Sequence, residues 1–112
     1  MSFDLKSISK KYFETFSNKD IDGLADMFAD EARLQDWEIV AIGKTAVLLA
    51  NENIFSSVDT IQVSPTSLYC EGNAIVAELK ICVDKKTNLL VVDIIEFNED
   101  GKITAIRAYK GN

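Results

Sequence analysis

Three ionisable side chains stand where the hydrophobic pattern of the sequence points inward. Asp36 lies in EARLQDWEIV, and if this segment is a strand, alternation puts Asp36 on the same apolar face as Ala32 and Leu34. Asp93 lies within the apolar run LLVVDIIEF, and Tyr12 lies on the apolar stripe of an N-terminal helical pattern. General acid–base catalysis uses carboxyl groups and phenols, so these three residues are candidate catalytic groups.

Asp93 has the more apolar surroundings of the two aspartates. Val91 and Ile95 flank it on its own strand face, and Val92 and Ile94 lie on the other face. An unpaired acid in such a run loses several kcal/mol on ionising. We therefore expect a raised pKa for Asp93 and a carboxyl group that can stay protonated at neutral pH and donate a hydrogen bond.

Each of these residues also has an interpretation without catalysis. A buried tyrosine at helical spacing belongs to the core more often than to an active site. An inward aspartate bonds the backbone, or an arginine such as Arg107, about as often as it acts as a base. For Asp36 the explanations are a misread register, a structural salt bridge and a group kept inside for chemistry. The occurrence of Tyr12, Asp36 and Asp93 on three different elements favours a shared cavity.

The composition excludes several classes of function. The chain has no histidine, so Ser-His-Asp and Cys-His catalysis are impossible and a zinc site would be poorly supplied with ligands. The net charge is −6 and the 12 basic residues are scattered, which argues against a nucleic-acid partner. We expect Cys70 and Cys82 to be free thiols, because the hairpin between them would separate their Cα atoms by more than about 7 Å.

The length and the hydropathy indicate one globular domain over residues 1–112. No apolar run approaches the roughly 20 residues that cross a bilayer, so we expect no membrane partner. The opening MSFDLKSISK has no apolar stretch of the kind that a signal peptide carries. These features predict a cytoplasmic protein.

The spacing of apolar residues predicts three helices and five strands. The first helix covers residues 5–16. The second is a short helix that Asp20 caps and that carries Phe28 on its inward face. The third begins at Lys44 and ends before Asp59. The strands are predicted at 32–38, 60–70, 74–84, 89–98 and 102–110. Gly43-Lys44-Thr45 is a helix start and not a phosphate loop, because Glu38 occupies the position where that loop needs a glycine.

The order of these elements predicts an α+β fold. Three N-terminal helices would cover one face of a curved, mostly antiparallel sheet, because the last four strands follow one another through EGN, KKTN and NEDG turns. Pro65, the only proline, lies within the first of those strands, so that strand is bulged there or lies at an edge.

Two stretches of the sequence resemble bacterial ketosteroid isomerases. KYFETFSNKDIDGLADMFADEARLQDW is similar to the first third of those enzymes, and VVDIIEFNEDGKITAIRAY is similar to their last hairpin. GKTAVLLANENIF resembles a glycine-led helix of the same family and of the SnoaL-like polyketide cyclases, which share the cone-shaped α+β barrel of nuclear transport factor two. The resemblance spans about Ile8 to Lys110.

The resemblance implies a role for each of the three candidate residues. Asp36 falls on the general base that moves a proton between carbons. Tyr12 falls on the tyrosine of the oxyanion hole, and Asp93 on the protonated aspartic acid that completes it. It also implies catalysis without a cofactor and a small-molecule ligand with a carbonyl group.

Four further positions that the resemblance places at the pocket depart from the family pattern. Phe28 and Asn51 stand where the better-equipped isomerases have tyrosines, so the hydrogen-bond network around Tyr12 should be thinner. Trp37 replaces the proline that follows the base, and Lys110 replaces an aromatic residue. If Lys110 faces the pocket, it suits a polar or anionic ligand better than a flat apolar steroid.

Two functions remain open on the sequence. The first is an isomerase or cyclase that abstracts a proton next to a carbonyl, and the second is a non-catalytic ligand-binding or dimerisation module of the same fold. Val76, Val92 and Ile94 would lie on the outer face of the sheet, which predicts a homodimer through that face.

Overall fold

The computed structural model describes residues 3–112 and contains three helices and six strands. In chain order these are α1 Leu5–Ser17, α2 Ile21–Met27, β1 Phe28–Gln35, β2 Val40–Ile42, α3 Lys44–Ser57, β3 Ile61–Glu71, β4 Ala74–Val83, β5 Thr87–Phe97 and β6 Ile103–Lys110. The predicted α+β class is confirmed.

The helices begin at residues that the sequence marks as caps. The Asp4 side chain accepts a hydrogen bond from the Ser7 backbone at the start of α1, and Asp20 accepts one from Gly23 at the start of α2. Gly43 precedes α3 with a φ of 91°, a conformation that side chains disfavour. The Gly43-Lys44-Thr45 segment is therefore a helix start, as predicted.

The six strands form one sheet in the order β2-β1-β6-β5-β4-β3. Strands β3 to β6 are a meander of antiparallel neighbours joined by the three predicted turns. β1 pairs antiparallel with β2 on one side and parallel with β6 on the other. β1 therefore attaches the helical N-terminal part of the chain to the last strand of the meander.

The opening strand was predicted too late in the sequence, at 32–38. It begins at Phe28, which was expected on the inward face of α2, and it stops at Gln35. The short strand β2 was not predicted. Residues 36–39 instead form the loop of a hairpin, in which the Asp36 backbone N–H donates to the Ile39 carbonyl at 2.9 Å. An aspartate favours such a loop because its side chain accepts hydrogen bonds from the backbone that follows.

The predictions for Pro65 and the cysteines agree with the structure. The register of β3 against β4 shifts between Pro65 and Ser67, and β3 is an edge strand of the sheet. Cys70 and Cys82 are both free.

The buried core lies between the helices and one face of the sheet. Along β5 the buried residues are Val91, Asp93, Ile95 and Phe97, so the inner face follows the predicted alternation. α1 packs against β3 and β4, and α3 packs against β1 and β2. Within residues 3–112, no helix has the length and apolar character needed to cross a membrane.

Candidate functional site

A cavity of about 230 Å³ lies between the helices and the inner face of the sheet. Its polar lining side chains are Tyr12, Asp36, Glu38, Asn51 and Asp93. The rest of the lining is apolar and comes from α1, α3 and the residue after it, five strands and the loop at 36–39. It consists of Phe13, Phe16, Leu34, Trp37, Ile39, Ile54, Val58, Ile61, Val63, Leu79, Ile81, Val83, Leu89, Val91, Ile106 and Ala108. An apolar cavity with a few convergent polar groups is the usual form of a small-molecule site.

Tyr12 reaches the cavity from α1 and is held by a cluster of aromatic rings. Its ring meets Phe13 and Phe28 edge to face, with centroids 5.5 Å and 6.0 Å apart, and lies 6.2 Å from Phe16. Such contacts fix the ring, and Tyr12 is only 5% exposed. None of these neighbours carries a hydroxyl group, so they support Tyr12 by packing alone.

Asp93 enters the cavity from the centre of β5. Its cross-strand neighbours are Ala77 on β4 and Ala108 on β6. Because both neighbours have the small alanine side chain, they leave space around the carboxyl group of Asp93 on the inner face of the sheet. Asp93 is 9% exposed.

The surroundings of Asp93 and Tyr12 favour their protonated forms. Burial raises the pKa of Asp93 to about 7, and the negative charge of Asp36 contributes to the same shift. Burial also raises the pKa of Tyr12, with a smaller contribution from Asp93. Both groups can therefore donate hydrogen bonds near neutral pH.

Asp36 lies at the end of β1 in the hairpin loop, where it is half-buried. Its Oδ1 accepts hydrogen bonds from the backbone N–H groups of Glu38 and Ile39 at 2.7 Å and 2.6 Å. These bonds fix the orientation of the carboxylate. Its inward placement therefore comes from the loop and not from strand alternation, although Ala32 and Leu34 do lie on the inner face.

Two positions expected at the pocket do not line the cavity. Phe28 is buried behind the Tyr12 ring. Lys110 lies at the end of β6, and its Nζ is 5.5 Å from the centre of the Trp37 ring. Trp37 lines the cavity and is 42% exposed. A lysine over an indole face is stabilised by the ring quadrupole, which accounts for its position outside the pocket.

The structure does not pair the inward aspartates with Arg107. Arg107 forms an ion pair with Glu96, and both residues are partly exposed. Ile106, the neighbour of Arg107 on β6, is buried, so alternation puts Arg107 on the outer face of the sheet. The structural salt bridge considered for these aspartates therefore does not use this arginine.

Some lining residues were not singled out from the sequence. Glu38 is a third acidic residue of the cavity lining, after Asp36 and Asp93. Only the turn-forming character of the loop around Asp36 could have indicated that Glu38 lies there. Ile54 and Val58 line the cavity from the end of α3, where their apolar character looks like ordinary core. The sequence carries no signal that separates a cavity wall from a packed core.

Comparison with known proteins identifies related folds. A sequence model of the SnoaL-like domain family matches residues 10–106. No curated protein sequence matches the chain.

Several solved structures are similar over nearly the whole chain. A protein from Kribbella flavida proposed to be a ketosteroid isomerase is 17% identical with a TM-score of 0.84, and the match covers 96% of this chain and 78% of that one. A protein from Sinorhizobium meliloti proposed to be a polyketide cyclase is 18% identical with a TM-score of 0.82, covering 95% and 99%. An epoxide hydrolase from M. tuberculosis is 16% identical with a TM-score of 0.82, covering 94% and 80%. At these identities the similarity establishes the fold alone.

Proposed function

Because the chain belongs to the SnoaL-like domain family, we propose that it is a cofactor-independent isomerase or cyclase that removes a proton next to the carbonyl group of a small molecule. One observation carries the proposal. A carboxylate, Asp36, and two groups whose pKa is raised by burial, Tyr12 and Asp93, line the same apolar cavity.

The proposed reaction begins with proton transfer to Asp36. The carboxylate takes a proton from the carbon beside the carbonyl, and the electrons of the C–H bond move to the carbonyl oxygen to give an enolate. Tyr12 and protonated Asp93 donate hydrogen bonds to this oxygen, where negative charge develops. In an isomerase, Asp36 then returns the proton to another carbon; in a cyclase, the enolate carbon attacks a second carbonyl, whose oxygen takes the proton.

The geometry of Asp36 supports its role as the base. Two backbone N–H groups bind Oδ1, so the carboxylate is oriented before a ligand arrives, and Oδ2 is available for the substrate proton. A base held in advance needs no rearrangement during the reaction.

The cavity favours a small, neutral and mostly apolar substrate. Its volume of about 230 Å³ lies below the roughly 300 Å³ at which pockets for drug-sized ligands begin. Asp36 and Glu38 place negative charge in its lining, and the net charge of the chain is −6, so an anionic ligand would be repelled.

Two variants of Asp36 test the proposed base. Asp36→Asn keeps an oxygen that can accept the two backbone hydrogen bonds but cannot take a proton. We expect it to lower turnover of an enolisable ketone or lactone by about 10² or more while the urea midpoint stays close to that of the wild type. Asp36→Ala should lose the same activity and, in addition, about 1 to 2 kcal/mol of unfolding free energy, because the loop loses both hydrogen bonds.

The substrates to be tested are ketones, lactones and polyketide-like compounds. NMR measures the exchange of protons at the carbon beside the carbonyl group. Glu38→Gln is the matched control, because Glu38 lies in the same loop and lining without the assigned role. Exchange that survives in Asp36→Asn would overturn the proposal. Ligands that bind without any exchange would instead identify a binding module of the same fold.

We also propose a homodimer through the outer face of the sheet. Val76, Val92 and Ile94 lie on that face and are only half-buried within one chain. Tyr69 and Tyr109 are exposed beside them, opposite Val76 and Val92 respectively. Apolar strand residues on both faces of β5 are typical of a sheet that is covered on both sides.

A further inference from the structure

The cavity has a closed end, and on the sheet Asp93 marks it. The next inward residue of β5 is Ile95, which is fully buried and does not line the cavity. Ala77, the partner of Asp93 on β4, is also fully buried and outside the lining. Along β4 and β5 the cavity therefore stops at the level of Asp93.

Asp36 reaches the cavity at this same end. Gln35 pairs with Arg107 on the parallel strand β6, and Asp93 pairs with Ala108 from the other side of β6. Asp36 follows Gln35 just as Ala108 follows Arg107, so Asp36 and Asp93 lie at one level of the sheet. The carboxyl groups of the proposed base and the proposed donor are thus both near the closed end.

From the closed end toward the turn between β4 and β5, the lining of these two strands is apolar and increasingly exposed. The first pair is Val91 with Leu79, and each of them is 3% exposed. The second pair is Leu89 with Ile81, and Val83 follows; all three are half-buried. The open end of the cavity is therefore near this turn.

Apolar side chains from other elements line the cavity with the same partial exposure. Ile39 lies in the hairpin loop, Ile54 on α3 and Val58 directly after α3, and all three are half-buried. At about 3.4 Å per strand residue, Leu89 lies roughly 14 Å from Asp93. A volume of about 230 Å³ over that length makes the cavity long and narrow, a shape that suits a chain better than fused rings.

We propose that the substrate is a carbonyl compound with an extended apolar chain. Its carbonyl group lies at the closed end, and its chain runs along β4 and β5 to the open end. The proposal rests on the proposed function, in which Tyr12 and Asp93 bind the carbonyl oxygen. A hydrogen bond takes up about 3 Å and a chain advances roughly 1.3 Å per carbon, so about eight carbons fill the distance to Leu89.

The test varies the position of the carbonyl group in a chain of fixed length. 2-Nonanone and 5-nonanone have the same formula, but only 2-nonanone can place its carbonyl at the closed end with nearly the whole chain along the apolar lining. 2-Hexanone is the short reference, because its chain ends before Leu89. NMR titration of backbone amides gives each Kd, so the readout does not depend on turnover.

Two variants test the path of the chain. Leu89→Gln puts a polar group into the open end of the cavity at similar side-chain size. Leu90→Gln is the matched control, because Leu90 is the next residue of β5, is 51% exposed and does not line the cavity. If Leu89→Gln does not fold, Leu89→Ala carries the same comparison.

We expect the wild type to bind 2-nonanone about tenfold or more tightly than 5-nonanone. It should bind 2-nonanone about 30-fold more tightly than 2-hexanone, because each additional buried methylene contributes about threefold to fourfold. Leu89→Gln should weaken the binding of 2-nonanone about fivefold, since the chain end then meets a polar group, and should leave that of 2-hexanone unchanged. Leu90→Gln should change neither affinity.

The outcomes separate this inference from the proposed function. Equal affinity of the wild type for the two nonanones would overturn the substrate class, as would an equal loss for 2-nonanone and 2-hexanone in Leu89→Gln. Preference for 2-nonanone without proton exchange that depends on Asp36 would support the substrate class and overturn only the proposed reaction. Failure of every ketone to bind the wild type would overturn both.

Discussion

The charge on Asp93 is set by its burial and by its neighbour Asp36. Burial is the larger cause of the rise in pKa to about 7, and the negative charge of Asp36 adds to it. We therefore expect the carboxyl carbon of Asp93 to titrate near pH 7 by NMR. In Asp36→Asn the midpoint should fall but stay above the ordinary value of 3.8, because burial remains. A wild-type midpoint near 4 would rule out Asp93 as a neutral donor.

The raised pKa of Asp93 also links stability to pH. Between pH 3.8 and about 7 the folded protein keeps a proton that the unfolded chain releases. The contribution of this group to stability is therefore complete below 3.8 and is lost as the pH rises to about 7. Relative to Asp93→Asn, the wild type should lose a few kcal/mol of unfolding free energy between pH 4 and pH 8. Asp100→Asn, at an exposed position, should leave the wild-type slope unchanged.

The sequence predicts some site residues better than others, for physical reasons. Alternation along β5 is a local property, so the inward face of Asp93 could be read from its flanking valines and isoleucines. The placement of Lys110 depends on Trp37, which is distant in sequence. No local pattern reports such a contact.

Lys19 connects the turn before α2 to the end of α3. Its Nζ donates to the carbonyls of Phe55, Val58 and Asp59 at 2.9, 2.6 and 3.0 Å. The last carbonyls of a helix have no partner within it, so this lysine caps α3. We expect Lys19→Met to lower the free energy of unfolding by about 1 to 2 kcal/mol, measured by urea denaturation, because these carbonyls lose a charged donor.

A control separates this cap from a general effect of removing a lysine. Lys11→Met makes the same change at an exposed position of α1 and should leave the urea midpoint nearly unchanged. Because Ile54 and Val58 line the cavity, ligand affinity should also fall in Lys19→Met. Equal stability of the two variants would show that Lys19 does not hold the end of α3.

At the level of elements, local signals were sufficient for the helices and the meander. Asp20 and Gly43 mark helix starts, and short polar turns join neighbouring strands. The pairing of β1 with β6 joins segments about seventy residues apart, and β2 has only three residues. Neither feature leaves a periodic pattern in the sequence, so neither could be predicted from it.

The inner and outer faces of the sheet have different proposed roles: the inner face lines the cavity and the outer face forms the dimer contact. The inner face, covered by the helices, supplies Asp93 and most of the apolar cavity wall. The outer face carries Val92 and Ile94 together with the Arg107–Glu96 ion pair. A partner on the outer face would bury apolar surface without blocking the cavity, so binding and self-association can coexist.

This arrangement predicts a dimer that one outer-face substitution disrupts. The wild type should have about twice the 12.4 kDa chain mass by light scattering. Val92→Lys puts a charge in the middle of the outer face, and burying an unpaired charge in an interface is costly, so the mass should fall to that of one chain. Leu49→Lys, on the exposed side of α3, should remain a dimer. Because the cavity lies on the opposite face, monomeric Val92→Lys should still bind ligand, and a monomeric wild type would contradict the dimer directly.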